Sequence, residues 1–158
     1  MYEQAAASAR MVRQELAMSC GAACARQLLR DAAIDVPEST IRADAAFDPL
    51  DGIDARTLAS TLSKMHAEAA VPMTYGGGAV HEEQLGALVH RAPFLALLRM
   101  PAGKHWVIVD RIEAGIVHVR DPGGITGDNS GSGMEATMKL GVFLEKWKRA
   151  FNGTVYRL

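Results

Sequence analysis

Residues 105–121, HWVIVDRIEAGIVHVRD, hold two β-rich runs joined by a short polar break. His105 to Ile112 and Ile116 to Asp121 are dense in Val, Ile and Trp, which suit a pleated sheet, and Glu113-Ala114-Gly115 between them predicts a three-residue hairpin loop. With Ile112 opposite Ile116, His105 and Asp121 fall on one face as diagonal neighbours, about 7–8 Å apart at most. That is within carboxylate–imidazole reach. His118 and Asp110 have the opposite parity and point to the other face. Asp121 also opens Asp-Pro-Gly-Gly, a strong turn signal, so its carboxylate can serve the turn and the histidine together.

Outward from this hairpin, Pro93 to Leu98 is an apolar run of strand length, and Gly153 to Leu158 predicts a closing strand. Between them Leu140, Phe143, Leu144, Trp147 and Phe151 share one helical face. The first half is helical in pattern. Ser19 is placed to cap a helix running to Leu29, and Asp54 caps a second whose Leu58, Leu62 and Met65 point inward. His81 to His90 suggests a third, short helix with Leu85, Leu88 and Val89 inward. Gly123 to Gly133 reads as loop. Gly76-Gly77-Gly78 lacks the Lys-Ser/Thr of a phosphate loop and reads as a turn, ahead of the alternative of a site cut by the protein itself. Helices first and antiparallel strands afterwards predict one α+β domain over residues 1–158.

The charge balance narrows the partners. A net charge of -1 over 158 residues gathers neither nucleic acid nor an anionic membrane. Met1 to Ala17 mixes Glu3, Arg10, Arg13 and Glu15 among its apolar residues, so it lacks the apolar run of a signal peptide, and no later window has the length of a membrane span. The expectation is a cytoplasmic protein, or one delivered by another domain or a secretion system. Cys20 and Cys24 are four positions apart, on one helical face where disulfide geometry is poor. With no histidine cluster beside them they do not make a zinc site, and neither metal nor cofactor is expected.

A cysteine nucleophile needs a favoured thiolate, a base within reach, and donors for the oxyanion. Cys20 stands where the first predicted helix begins, so free N–H groups and the helix dipole favour its thiolate, and Gly21 lets a substrate approach the backbone. Position alone fits a buried structural thiol equally well. Cys24, a turn further in between Ala23 and Ala25, reads as core. Of the five histidines, His66, His81 and His90 sit at helix ends and read as surface or capping groups. His118 lies mid-strand on the wrong face, which leaves His105 as base and Asp121 as its orienting carboxylate. Trp106, on the opposite face, reads first as core and second as a shield over the His105–Asp121 contact.

Gln14-Glu-Leu-Ala-Met-Ser-Cys20-Gly-Ala-Ala resembles the Gln, five residues, Cys-Gly-x-Ala element of papain-like cysteine peptidases, most closely the C39, double-glycine branch. His105-Trp-Val-Ile-Val and Val117-His-Val-Arg-Asp121-Pro122 are similar to that branch's His-x-Val-Val and Asp-Pro elements. Gly52, Pro93 and the run from Phe143 through Trp147 to Gly153 follow in family order. The resemblance implies a papain-like fold and a Cys20-His105-Asp121 triad, and it adds Gln14, whose side-chain amide would be the second oxyanion donor. Ser19 departs from the Asp or Asn usual before the cysteine.

The implied activity is an endopeptidase that cuts a protein or peptide after small residues, Gly-Gly foremost. Papain-like domains of this kind also resemble bacterial effector toxins, a reading that implies a cognate immunity protein as partner. Two rivals stay open: a deamidase, transglutaminase or amidase using the same triad, and an idle C39-like domain that binds a peptide.

Overall fold

The computed structural model describes residues 1–158. Strand β1 (Gln4–Val12) opens the chain, followed by helices α1 (Cys20–Asp31), α2 (Glu38–Asp44) and α3 (Ala55–Glu68). Strand β2 (Tyr75–Ala79) leads through a 3-10 turn into α4 (Leu85–His90). Strands β3 (Phe94–Met100), β4 (Gly103–Glu113), β5 (Ile116–Asp121) and β6 (Ser132–Lys139) precede α5 (Leu140–Arg149) and β7 (Gly153–Arg157). The strands form one seven-stranded antiparallel sheet in the order β1-β6-β5-β4-β3-β7-β2. The expected α+β architecture is therefore present, with the antiparallel sheet lying between helices α1 to α3 on one face and α5 on the other.

Strand β4 lies at the centre of the sheet and is buried on both faces, which explains its nearly continuous apolar run. Trp106 and Ile108 join Leu28, Leu29, Leu58 and Leu62 in a core under α1 and α3, while Val107 and Val109 face Phe143 and Trp147 of α5 on the opposite side. Successive side chains of a strand point to opposite faces, so one strand serves two cores. Asp54 caps α3 as expected, accepting the Thr57 N–H at 2.9 Å.

Several elements depart from the sequence expectation. The Ala-rich segment before α1 forms β1 although alanine disfavours strands, because it pairs with β6 from Gln4↔Thr137 to Val12↔Ser132 and buries Met11. Helix α2 carries too short a pattern to announce itself. The three glycines at 76–78 are paired strand, not a turn: Gly76, Gly77 and Gly78 lie opposite Tyr156, Val155 and Thr154. Phe151 falls outside α5, at a positive φ of 57° and 76% exposed, rather than on its apolar face. His66 is buried, its Nδ1 against the Val71 carbonyl at 2.9 Å and its Nε2 against the Tyr75 hydroxyl at 3.3 Å.

The β4–β5 hairpin also differs from its expected form. Glu113 pairs with Ile116 around a two-residue turn, Ala114-Gly115, both at positive φ. Asp110 then bulges between Val109 and Arg111, and beyond it Val109 pairs with Val119 and Ile108 with Arg120. A two-residue turn plus one bulged residue displaces the far pairs as a three-residue loop would. The register at the His105 end is thus the expected one, reached by another route.

Candidate active site

Cys20 is the first residue of α1. The first hydrogen bond of that helix runs from Ala23 N–H to Ser19 O at 2.9 Å, which leaves the N–H groups of Cys20, Gly21 and Ala22 without backbone partners. The Ser19 side chain does not cap the helix. Its Oγ accepts from Leu16 N–H at 2.9 Å and donates to the buried Glu38 carboxylate at 3.2 Å. The same Glu38 oxygen accepts from the Glu15 N–H at 3.1 Å. Glu38, brought in by α2, thus holds the turn that delivers Cys20; nothing local in the sequence marked it.

Cys20 is 6% exposed, and its Sγ accepts from the Trp106 N–H at 3.4 Å. That contact sets the start of α1 against the start of β4, where His105 stands. The His105 Nε2 and Asp121 Oδ1 are 2.6 Å apart, and the same Oδ1 accepts from the Gly123 N–H at 2.8 Å. Asp121 therefore serves the turn and the imidazole at once. Its second oxygen, Oδ2, accepts from the Tyr2 hydroxyl at 2.6 Å, a contact with no signal in the local sequence.

Burial works against charge on His105, but its hydrogen bonding to the Asp121 carboxylate foremost, and to Cys20 beside it, outweighs burial and raises its pKa to about 10. Burial of Asp121 is likewise outweighed by His105, Tyr2 and the Gly123 N–H, which hold its carboxyl below the ordinary carboxylate range. Cys24 has a different fate: completely buried, with Sγ 3.5 Å from the Trp106 carbonyl, its thiol is pushed well up by burial.

Gln14 sits on the segment leading into Cys20, and its N–H donates to the Pro122 carbonyl at 2.8 Å, tying that segment to the Asp-Pro turn. Its side-chain amide donates to the Leu16 and Ala17 carbonyls at 2.8 and 3.0 Å, and its Oε1 is buried without a partner. Trp106 is core, 3% exposed, with its Nε1 donating to the Ile53 carbonyl at 3.1 Å. A cleft of about 360 Å³ opens beside Cys20, floored by Trp106 and Ile53 and rimmed by Met18, Asp48, Asp51 and Lys104. His81 and His90 lie at the surface, and His118 sits in a separate depression with Asp110 and Glu135.

A helix-start thiol, an imidazole and a buried carboxylate thus lie at one place, where the sheet packs under that helix. The model of the peptidase C39 family matches residues 8–149, so the chain belongs to that family. Among solved structures it is similar to a double glycine motif protease from an AMS/PCAT transporter in complex with a leader peptide. There the TM-score is 0.64 at 14% identity, covering 99% of this chain and 92% of that one. The peptidase domain of Streptococcus ComA, a bifunctional ABC transporter of a quorum-sensing pathway, superposes with a TM-score of 0.66 at 13% identity, covering 93% and 96%. A C39-like peptidase from Bacillus anthracis gives 0.66 at 12% identity, covering 94% and 93%. No curated protein matches the chain. No helix is long and apolar enough to cross a membrane.

Proposed function

We propose that residues 1–158 act as one endopeptidase domain that cleaves a protein after small residues, Gly-Gly foremost, through Cys20, His105 and Asp121. The observation that carries the triad is the 2.6 Å His105–Asp121 contact beside a thiol at the start of α1. The Gly-Gly preference is carried over from the double glycine protease it resembles.

Cys20 loses its proton to His105 and its sulfur attacks the scissile carbonyl carbon, and the oxyanion forms beside the free Cys20 N–H. Gln14 is the second donor in this reading. Its amide bonds only to carbonyls of the preceding turn, so serving the oxyanion requires that it exchange one of them for the substrate. His105 then gives its proton to the leaving amine as the C–N bond breaks, which leaves a thioester on Cys20. Water, losing a proton to His105, attacks the thioester and releases the new carboxyl terminus.

Expression of wild type and Cys20→Ala in bacteria, with N-terminal proteomics on both, tests the reading: new N-termini should appear with the wild type alone. Equal sets in both would refute it. A mass change on labelled protein without cleavage would favour the deamidase or transglutaminase instead, and a Cys20 inert to alkylation at neutral pH would leave only an idle peptide-binding domain. The effector setting is part of the proposal and has its own readout, toxicity of the wild type that a cognate immunity protein relieves.

A further inference from the structure

We propose that Tyr2 is a positioning residue for this site, acting through Oδ2 of Asp121 to aim Oδ1 at His105; the inference rests on the triad reading above. The Asp121 side chain is only 5% exposed, so each of its oxygens depends on protein donors. Oδ1 takes two, from His105 at 2.6 Å and from Gly123 at 2.8 Å. Oδ2 takes the Tyr2 hydroxyl alone, at 2.6 Å. Without that donor a buried carboxylate oxygen is unpaired, and rotation of the carboxylate lets Oδ2 compete with Oδ1 for the same ring. With both oxygens occupied, one orientation remains.

The fold commits Tyr2 to this task. The Glu3 N–H donates to the Thr137 carbonyl at 2.7 Å and Gln4 pairs with Thr137, so β6 fixes the chain one residue beyond Tyr2. The Tyr2 ring packs against the core that holds Val117 and Val119, the strand leading into Asp121. Burial, with the Asp121 charge beside it, keeps the phenol protonated far above its ordinary range, so it donates throughout the working pH.

Tyr2→Phe keeps the ring and removes only the hydroxyl. The His105 ring resonance, assigned by its loss in His105→Gln, is titrated by NMR in wild type and Tyr2→Phe, with thermal unfolding alongside. The wild-type midpoint should lie well above the ordinary 6.5, and that of Tyr2→Phe lower by about half a pH unit or more, because an Oδ1 no longer held toward the ring supports its charge less. A superimposable or higher midpoint in Tyr2→Phe overturns the proposal and leaves the triad standing. A wild-type His105 that titrates as a free imidazole fails the triad itself, and this inference with it. A second reading needs no variant: the wild-type Tyr2 ring should show no ionisation up to about pH 11, and a midpoint near the ordinary value of about 10 overturns the proposal.

Discussion

A Cβ on Gly21 would lie 2.9 Å from Cδ1 of Trp106. The glycine after Cys20 is thus a packing requirement, where its sequence position suggested room for a substrate. Trp106 cannot move aside readily, because its Nε1 is bonded to the Ile53 carbonyl and it is 3% exposed. Gly21→Ala should destabilise the protein by about 1–2 kcal/mol, overpacking set against the better helix propensity of alanine. Urea unfolding measures this, and a neutral or stabilising result would show that Trp106 yields.

Gly77 meets a harder obstacle. A Cβ there would lie 2.2 Å from the carbonyl oxygen of Ala55, a backbone atom at the start of α3. Gly77→Ala should cost about 3 kcal/mol, since the helix or the strand must shift bodily. Gly78→Ala is the comparison: it has open space but a φ of 150°, so it should cost less. Thermal unfolding of the two variants decides whether α3 packs this closely on β2.

Arg120 is 2% exposed and gathers Asp110 at 2.9 Å and Asp31 at 2.8 Å, with its Nη1 also donating to the Arg10 carbonyl. Asp110 meets the arginine from the bulged residue of β4. Arg120→Met should cost about 3 kcal/mol, because two carboxylates lose the charge that pairs them. Replacing Asp31 should cost less, as its side chain is 36% exposed. Unfolding midpoints of the two variants should rank in that order.

The raised pKa of His105 gives stability a defined pH course. Its folded value, about 10, exceeds the ordinary 6.5. Its contribution is therefore complete below about pH 6.5, declines above it, and is lost as pH rises through about 10. The stability difference between wild type and His105→Gln should shrink steadily over that interval. Asp121 acts at the other end: its lowered pKa gives stability that is present above about pH 3.9 and lost in more acid solution. A difference that grows from pH 7 to 10 would contradict the His105–Asp121 pairing.

The sequence by itself determined the α+β class, the helix starting at Cys20, the Asp54 cap, and the β4–β5 hairpin that carries His105 and Asp121. These are local matters: strand composition, cap chemistry and parity are written within a few neighbouring residues. Only the tertiary structure decided what depends on distant partners. Strand β1 exists through β6, the glycines at 76–78 are held between β7 and α3, and His66 is buried by Tyr75. In the hairpin the register was legible while its cause was not, since the bulge at Asp110 is held by Arg120 and a turn rule cannot anticipate it. Of the residues around Asp121, His105 is 16 positions away on the adjoining strand and Tyr2 is 119 away. Parity could find the first. Finding the second required the sheet order that lays β1 beside β6.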